Sequence, residues 1–339
     1  DTDVSSWSAF QFSTTNTTIS HDTGGDGGRM LVTTTAWYAG ATQTITGLTA
    51  GETYTATANF VAGTHSQFYL QAVNTSTGSA YASFSGTYSD SNQSITFTLA
   101  SDQTSVEIRV RGTNGTGTFY VDNVTLRLAE EDRSVNGNGL QVFGTVTKSA
   151  VATGADLVGF GGFASNISYL QQPYNADFDI GSSGLCYQTW AYLDNINGAQ
   201  QVLMEFNNPS LTDGWRMVMN SGRQVYVGVV ENGTYYQTQT STPNINVGQW
   251  THLLVTVRNG TLSFYINGKH EESRSVPTSI SAPSTNVLRI GRDVAAYAFY
   301  WNGSLALARV SKTVPSPEQI AKIYEDEKVL FQEGAQATL

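Results

Sequence analysis

The sequence predicts an all-β chain of two tandem antiparallel sandwiches, the second ending in one short helix. Three observations carry this prediction. Apolar and polar residues alternate with period two over many short segments, as in strands with one buried and one wet face. Stretches rich in Gly, Asn and Ser separate those segments at the spacing of a sandwich. Charged residues make up only 13% of the chain while there are 17 tyrosines, a composition that suits strands.

The first part shows the alternation most clearly. In Thr53-Tyr54-Thr55-Ala56-Thr57-Ala58-Asn59-Phe60 the even positions are apolar and the odd ones polar. Gln67-Phe68-Tyr69-Leu70-Gln71-Ala72 places Phe68, Leu70 and Ala72 on one face and Tyr69 and Gln71 on the other. Ser94–Leu99 and Ser105–Arg111 repeat the pattern, the latter with Glu107, Arg109 and Arg111 opposite Val106, Ile108 and Val110. The turns include His21–Gly28 and Thr113–Gly117. The charged stretch Glu130-Glu131-Asp132-Arg133 marks a boundary, giving a first domain over 1–129, a linker over 130–136 and a second domain over 137–329. In the second domain Asn259-Gly260 is a hairpin turn and Leu262–Lys269 a strand running into another turn. Ser316-Pro317-Glu318-Gln319 is a capping box with Pro at the first helical position. It opens an amphipathic helix over about 317–329 that packs Ile320, Ile323 and Tyr324 on the sandwich and turns Glu325, Asp326 and Glu327 to solvent. Residues 330–339 read as the start of a further segment.

Bulk properties exclude several functions. A chain of 339 residues can bury two cores. A net charge of −10, with no Lys before Lys148, argues against nucleic acid and anionic lipid as partners. No apolar run approaches the roughly 20 residues that span a bilayer, so membrane insertion is not expected. The lone Cys186 can form no intramolecular disulfide and reads as a buried thiol in a strand. His21, His65, His252 and His270 show no metal-ligand spacing. Gly24–Gly28 is a turn rather than a phosphate cradle, since no Lys-Ser/Thr pair follows it.

Two stretches make the first domain resemble the carbohydrate-binding modules of families four and nine, which are jelly rolls. These are Phe119–Leu126, similar to their last strand, and Asp1–Trp7, similar to their opening acidic residue followed by Trp. The resemblance implies a chain that starts inside its first strand, and a structural calcium ion held by Asp1 and Asp122. The second domain resembles the laminin-G and concanavalin-type lectin fold through Phe178–Gly181, Gln188–Leu193, Gly248–Leu253, Phe264–Lys269, Leu288–Arg292 and Gly303–Ala306. Asp132–Asn136, Gly144–Lys148, Tyr169–Asn175 and Ile323–Lys328 are also similar to lectin-like segments of marine bacteriophage tail and tail-fibre proteins. That likeness implies a virion or extracellular location, contact with a host-surface polysaccharide or other glycan, neighbouring virion proteins, and a homotrimer.

Glycan recognition needs flat aromatic faces and planar polar groups. The candidates are Trp37, Tyr38, Tyr69, Gln71, Arg109 and Arg111 in the first domain, and Tyr300 and Trp301 in the second. Hydrolysis on a concanavalin-type fold needs two opposed carboxylates. The Glu-x-Asp-x-x-Glu run of the laminarinase-like relatives is absent, and Glu271 and Glu272 are neighbours on one strand that point to opposite faces. The expectation is a non-catalytic, glycan-binding adhesion segment of a phage virion. Two alternatives stay open: an accessory carbohydrate-binding region of a secreted bacterial polysaccharide-degrading enzyme, and a structural spacer of a virion.

Overall fold

Side chains of a strand leave the backbone on alternate sides, so period-two sequences must pair their apolar sides face to face. The computed structural model describes residues 4–10, 17–24, 28–65, 67–87, 91–112, 115–129, 139–163, 168–180, 184–198, 200–240, 244–280, 282–295, 297 and 299–336. The expected linker and Asp1 lie outside these residues. The chain divides into two compact units, Asp1–Gln141 and Val142–Leu339. Both are antiparallel jelly-roll sandwiches, and the second carries the helix. No helix among the described residues is long and apolar enough to cross a membrane.

The first unit contains β1 (Ser8–Phe10), β2 (Thr17–Asp22), β3 (Arg29–Thr34), β4 (Gly40–Thr46), β5 (Thr53–Ala62), β6 (Gln67–Asn74), β7 (Ala80–Thr87), β8 (Ser91–Thr98), β9 (Ser105–Gly112) and β10 (Gly117–Leu128). One sheet has the order β1-β4-β9-β6-β7, the other β2-β3-β10-β5-β8. Between them Phe60 of β5 stacks on Phe68 of β6 with centroids 4.0 Å apart, both rings fully buried. Leu70, Ile108, Val110 and Phe119 extend this core. The expected wet side of β5 is not wet: Thr55 and Thr57 are buried too, Thr57 with its hydroxyl 2.6 Å from that of Thr125.

The second unit contains β11 (Gln141–Phe143), β12 (Thr147–Ala150), β13 (Val158–Gly161), β14 (Tyr169–Gln172), β15 (Leu185–Leu193), β16 (Gln200–Asn207), β17 (Gly214–Asn220), β18 (Val225–Glu231), β19 (Thr234–Gln239), β20 (Trp250–Arg258), β21 (Thr261–Ile266), β22 (Lys269–Ser275), β23 (Val287–Ile290), β24 (Gly303–Ser311) and α1 (Pro317–Glu327). Its sheets run β11-β14-β23-β16-β17-β18-β19 and β12-β13-β24-β15-β20-β21-β22. Tyr187 of β15 stacks on Trp215 of β17 at 4.4 Å and bolts the two sheets together. Three hairpins turn on Asn-Gly pairs with both residues at positive φ: Asn232-Gly233, Asn259-Gly260 and Asn267-Gly268. That conformation matches the right-handed twist of the flanking strands.

The capping box forms as the sequence requires: Ser316 Oγ accepts from the Gln319 N–H, and Gln319 Oε1 accepts from the Ser316 N–H. The helix covers the outer side of β15, β20 and β21, where Ile320 meets Cys186, Leu254 and Tyr265. Trp190 lies between Tyr324, at 5.6 Å, and Phe331, at 4.2 Å, and its indole N–H donates to Glu327 Oε2 at 2.7 Å. Arg309 pairs with the other oxygen of the same carboxylate. The expectation of a solvated Glu327 is therefore corrected: two donors on the sheet draw it inward, while Glu325 and Asp326 stay exposed. Beyond the helix, Gly334 and Ala335 hydrogen-bond Thr153 and Asp156.

Under the helix, fully buried His252 shares a 3.0 Å hydrogen bond with Gln188. Burial, and secondarily the charge of Arg309, pushes its imidazole down to about 4. The unfolded imidazole titrates near 6.5, so between those values the unfolded chain binds more protons. The stabilisation from the neutral ring is complete above pH 6.5 and is lost as pH falls toward 4. Chemical denaturation of the intact chain and of His252→Gln is expected to show the wild-type advantage shrinking over that window, by up to about 3 kcal/mol.

Candidate functional site

In the first unit β9 sits between β4 and β6, and its alternation sorts the site. Val106, Ile108 and Val110 enter the core, so Glu107, Arg109 and Arg111 leave on the outer face. Register then fixes their neighbours. Arg111 lies across from Tyr69 and Gly40, and Arg109 across from Gln71 and Thr42. One strand further, Phe10 is opposite Gly40. A Cβ on Gly40 would stand 2.1 Å from the Val110 carbonyl oxygen, so only glycine allows this approach of β4 to β9.

The segment before β4 brings two more rings to the same face. Trp37 is 62% exposed and Tyr38 41%. Tyr38 holds a φ of 58°, a left-handed conformation that costs a bulky residue roughly 1–2 kcal/mol. Held there, its ring lies 6.3 Å from both Trp37 and Tyr69. The three rings form a continuous ridge.

The polar groups beside this ridge are not equivalent. Arg109 donates to Glu107 Oε2 at 2.6 Å, and its guanidinium lies 4.2 Å over the Phe10 ring. Thr42 donates to Glu107 Oε1, also at 2.6 Å. Burial pushes the Glu107 carboxyl up, but the hydrogen bonds from Arg109 and Thr42 and the charge of Arg109 outweigh it and leave the group below its usual range. Arg111 is only 8% exposed and its Nε meets no acceptor. Its guanidinium is framed by Phe10, Tyr38 and Tyr69, at 5.4, 5.6 and 5.4 Å from the ring centroids. Burial, and then the neighbouring charge of Arg109, pushes it below the usual guanidinium value. It remains a cation at neutral pH.

The expected calcium ligand Asp122 lies at a bulge in β10, with Asn123 at φ 51°, and its Oδ1 accepts the Asn123 N–H. It opens on a cavity of ≈ 140 Å³ whose wall also includes Arg29, itself paired with Asp22. Among the described residues no three carboxylate, imidazole or thiol groups converge. The other expected ligand, Asp1, lies outside the described residues, so Asp122 alone of the expected pair is placed.

In the second unit a buried polar row crosses one sheet. Gln171, Arg289, Glu205 and Arg216 are register neighbours on β14, β23, β16 and β17. Glu205 is fully buried and accepts the Val294 N–H, and Arg289 donates to the Asp293 carbonyl at 2.8 Å. Burial pushes the Glu205 carboxyl up against the opposing pull of Arg216. The row ties the segment after β23 to the sheet.

Residues 165–321 match the family model described as the concanavalin A-like lectin/glucanases superfamily. The match lies within the second unit, which is similar to domains of that superfamily. No curated protein matches the chain. Among solved structures, the receptor-binding domain of botulinum neurotoxin C/D mosaic serotype is 14% identical with a TM-score of 0.46, over 59% of this chain and 49% of that one. The chain thus spans about half the length of that protein. The binding domain of Paraclostridial Mosquitocidal Protein 1 gives 16%, 0.44, 58% and 49% for the same measures. Domain 4 of AbnA, an extracellular GH43 arabinanase of Geobacillus stearothermophilus solved with arabinotriose, gives 17%, 0.46, 58% and 93%.

Of the candidates, Trp37, Tyr38, Tyr69, Gln71, Arg109 and Arg111 come together on one face. Phe10, Thr42 and Gly40 join them unforeseen, because their place depends on which strand pairs with which. In the lectin-like domain Tyr300 is half-buried, pairing with Arg292 through an isolated bridge. Trp301 is fully buried, with its indole N–H donating to the Ser304 carbonyl. It offers no face to a sugar and is withdrawn as a contact; the exposed ring of that segment is Tyr297. Two substitutions separate surface from core. Trp301→Ala is expected to cost about 3–5 kcal/mol in chemical denaturation, and Trp37→Ala to stay within about 0.5 kcal/mol of wild type.

Proposed function

We propose that the chain is a glycan-binding adhesion segment whose saccharide contact is the outer face of the β1-β4-β9-β6-β7 sheet. The observation that carries this reading is the ridge formed by exposed Trp37 and Tyr38 and half-buried Tyr69 beside a polar row on the same face. The C–H faces of a pyranose stack on such rings, while its hydroxyls need planar donors and acceptors. Gln71 and the Arg109–Glu107 pair supply them. Glu107 is engaged by Arg109 and Thr42, which supports a role in holding a sugar. The second unit, similar to concanavalin A-like lectin domains, fits the same role. The setting in a phage tail or tail-fibre protein that contacts the host surface, as a homotrimer among other virion proteins, is supported by the sequence likeness to such segments.

The test is a panel of bacterial-surface and algal oligosaccharides screened against the intact chain, followed by calorimetric titration of the best ligand. Trp37→Ala and Tyr69→Ala are each expected to weaken binding by about 2 kcal/mol, near thirtyfold. Absence of binding across the panel, or binding indifferent to both substitutions, overturns the reading.

A further inference from the structure

Arg111 stands out on the proposed glycan face. Arg109 has a carboxylate at 2.6 Å, whereas Arg111, two residues along the same strand, makes no hydrogen bond or ion pair with any described residue. No carboxylate is among the groups that perturb it; those are Arg109, Tyr69 and Tyr38. Two guanidiniums and one carboxylate leave one positive charge on this row. An ion withdrawn from water needs a counter-charge or hydrogen-bond acceptors, and the three rings around Arg111 provide only part of that compensation. Arg109 shows what compensation looks like on this face: a ring beneath, and a carboxylate at the edge. Arg111 has the rings and lacks the acid.

We infer that the acid comes from the ligand, and that this face selects saccharides bearing an oxyanion, a uronate carboxylate or a sulfate ester, with Arg111 as the partner of that group. The inference rests on the glycan-binding reading and adds its substrate class. The geometry suits it. Trp37, Tyr38 and Tyr69 take the ring of one sugar, and Arg111 lies within the same ridge, 5.4–5.6 Å from Tyr69 and Tyr38. A charged substituent on a stacked sugar therefore meets a planar guanidinium already desolvated, a group suited to paired N–H···O bonds to an oxyanion. The net charge of −10 keeps polyanions from gathering on the chain nonspecifically, so selectivity falls on this one cation.

The experiment sorts the same panel into uronate-bearing, sulfate-bearing and neutral oligosaccharides, and compares the intact chain with Arg111→Gln, Arg111→Lys and Trp37→Ala. Acidic ligands are expected to bind at least about tenfold tighter than neutral ones of equal length, the size of one charge-assisted pair. Arg111→Gln should remove that margin, and Arg111→Lys should recover part of it. Because the wild-type charge is uncompensated, Arg111→Gln should melt at or above the wild-type temperature. The preference between uronate and sulfate identifies the oxyanion. Neutral ligands binding best, or Arg111→Gln keeping the acidic margin while Trp37→Ala loses binding, overturns the inference and leaves the glycan reading intact. A lower melting temperature with loss of neutral binding in Arg111→Gln also overturns it, by making Arg111 a packing group. No binding by any ligand class overturns the glycan reading first.

Discussion

Each sheet in this protein buries one face against its partner sheet, and what the other face carries decides what the protein can do. The stacked pair Phe60 and Phe68 closes the first sandwich, and Tyr187 on Trp215 closes the second. With those faces committed, the residues between them in sequence are forced outward. In the second unit the outer side of β15 and β20 is covered by α1, whose Ile320, Tyr324 and Glu327 settle on Cys186, Trp190 and Arg309. In the first unit the outer side of β9 and β6 carries two arginines, a glutamate, a glutamine and a tyrosine, with an aromatic ridge along its border.

Much of this was legible because it is local. Alternation names the strands, Asn-Gly names the hairpins, and Ser316 with Gln319 names the helix start; each depends on a few neighbouring residues. Parity along β6 and β9 also separated Tyr69, Gln71, Arg109 and Arg111 from the core. That these two strands are adjacent, and that Phe10 arrives from β1, depends on pairings across 30 to 44 residues that no local pattern encodes. Burial was the least legible property. Trp301 next to Asn302-Gly303 looks like a loop-rim ring, yet the fold closes over it. Glu327 sits in a run of three acids and gave no sign that Trp190 and Arg309 wait beneath it. Glu205 finds its neighbours on two other strands, Arg216 on β17 and Arg289 on β23, and in the segment after β23.

The candidate face also departs from two local rules. Tyr38 takes a backbone conformation that suits glycine or asparagine, and Arg111 is desolvated without a described counter-charge. Departures of this kind cost stability and persist where binding requires them. Both fall within one ridge of side chains, and neither improves the packing of the core beneath.

The most direct measurement of the central claim is the indole N–H spectrum of the intact chain during titration with a bound oligosaccharide. The chain has six tryptophans, and Trp190, Trp215 and Trp301 are buried. The account predicts that the Trp37 resonance shifts in step with ligand occupancy while the buried indoles stay in place. A saturating ligand that leaves Trp37 unmoved and shifts an indole of the second unit would place the binding surface there and contradict the account.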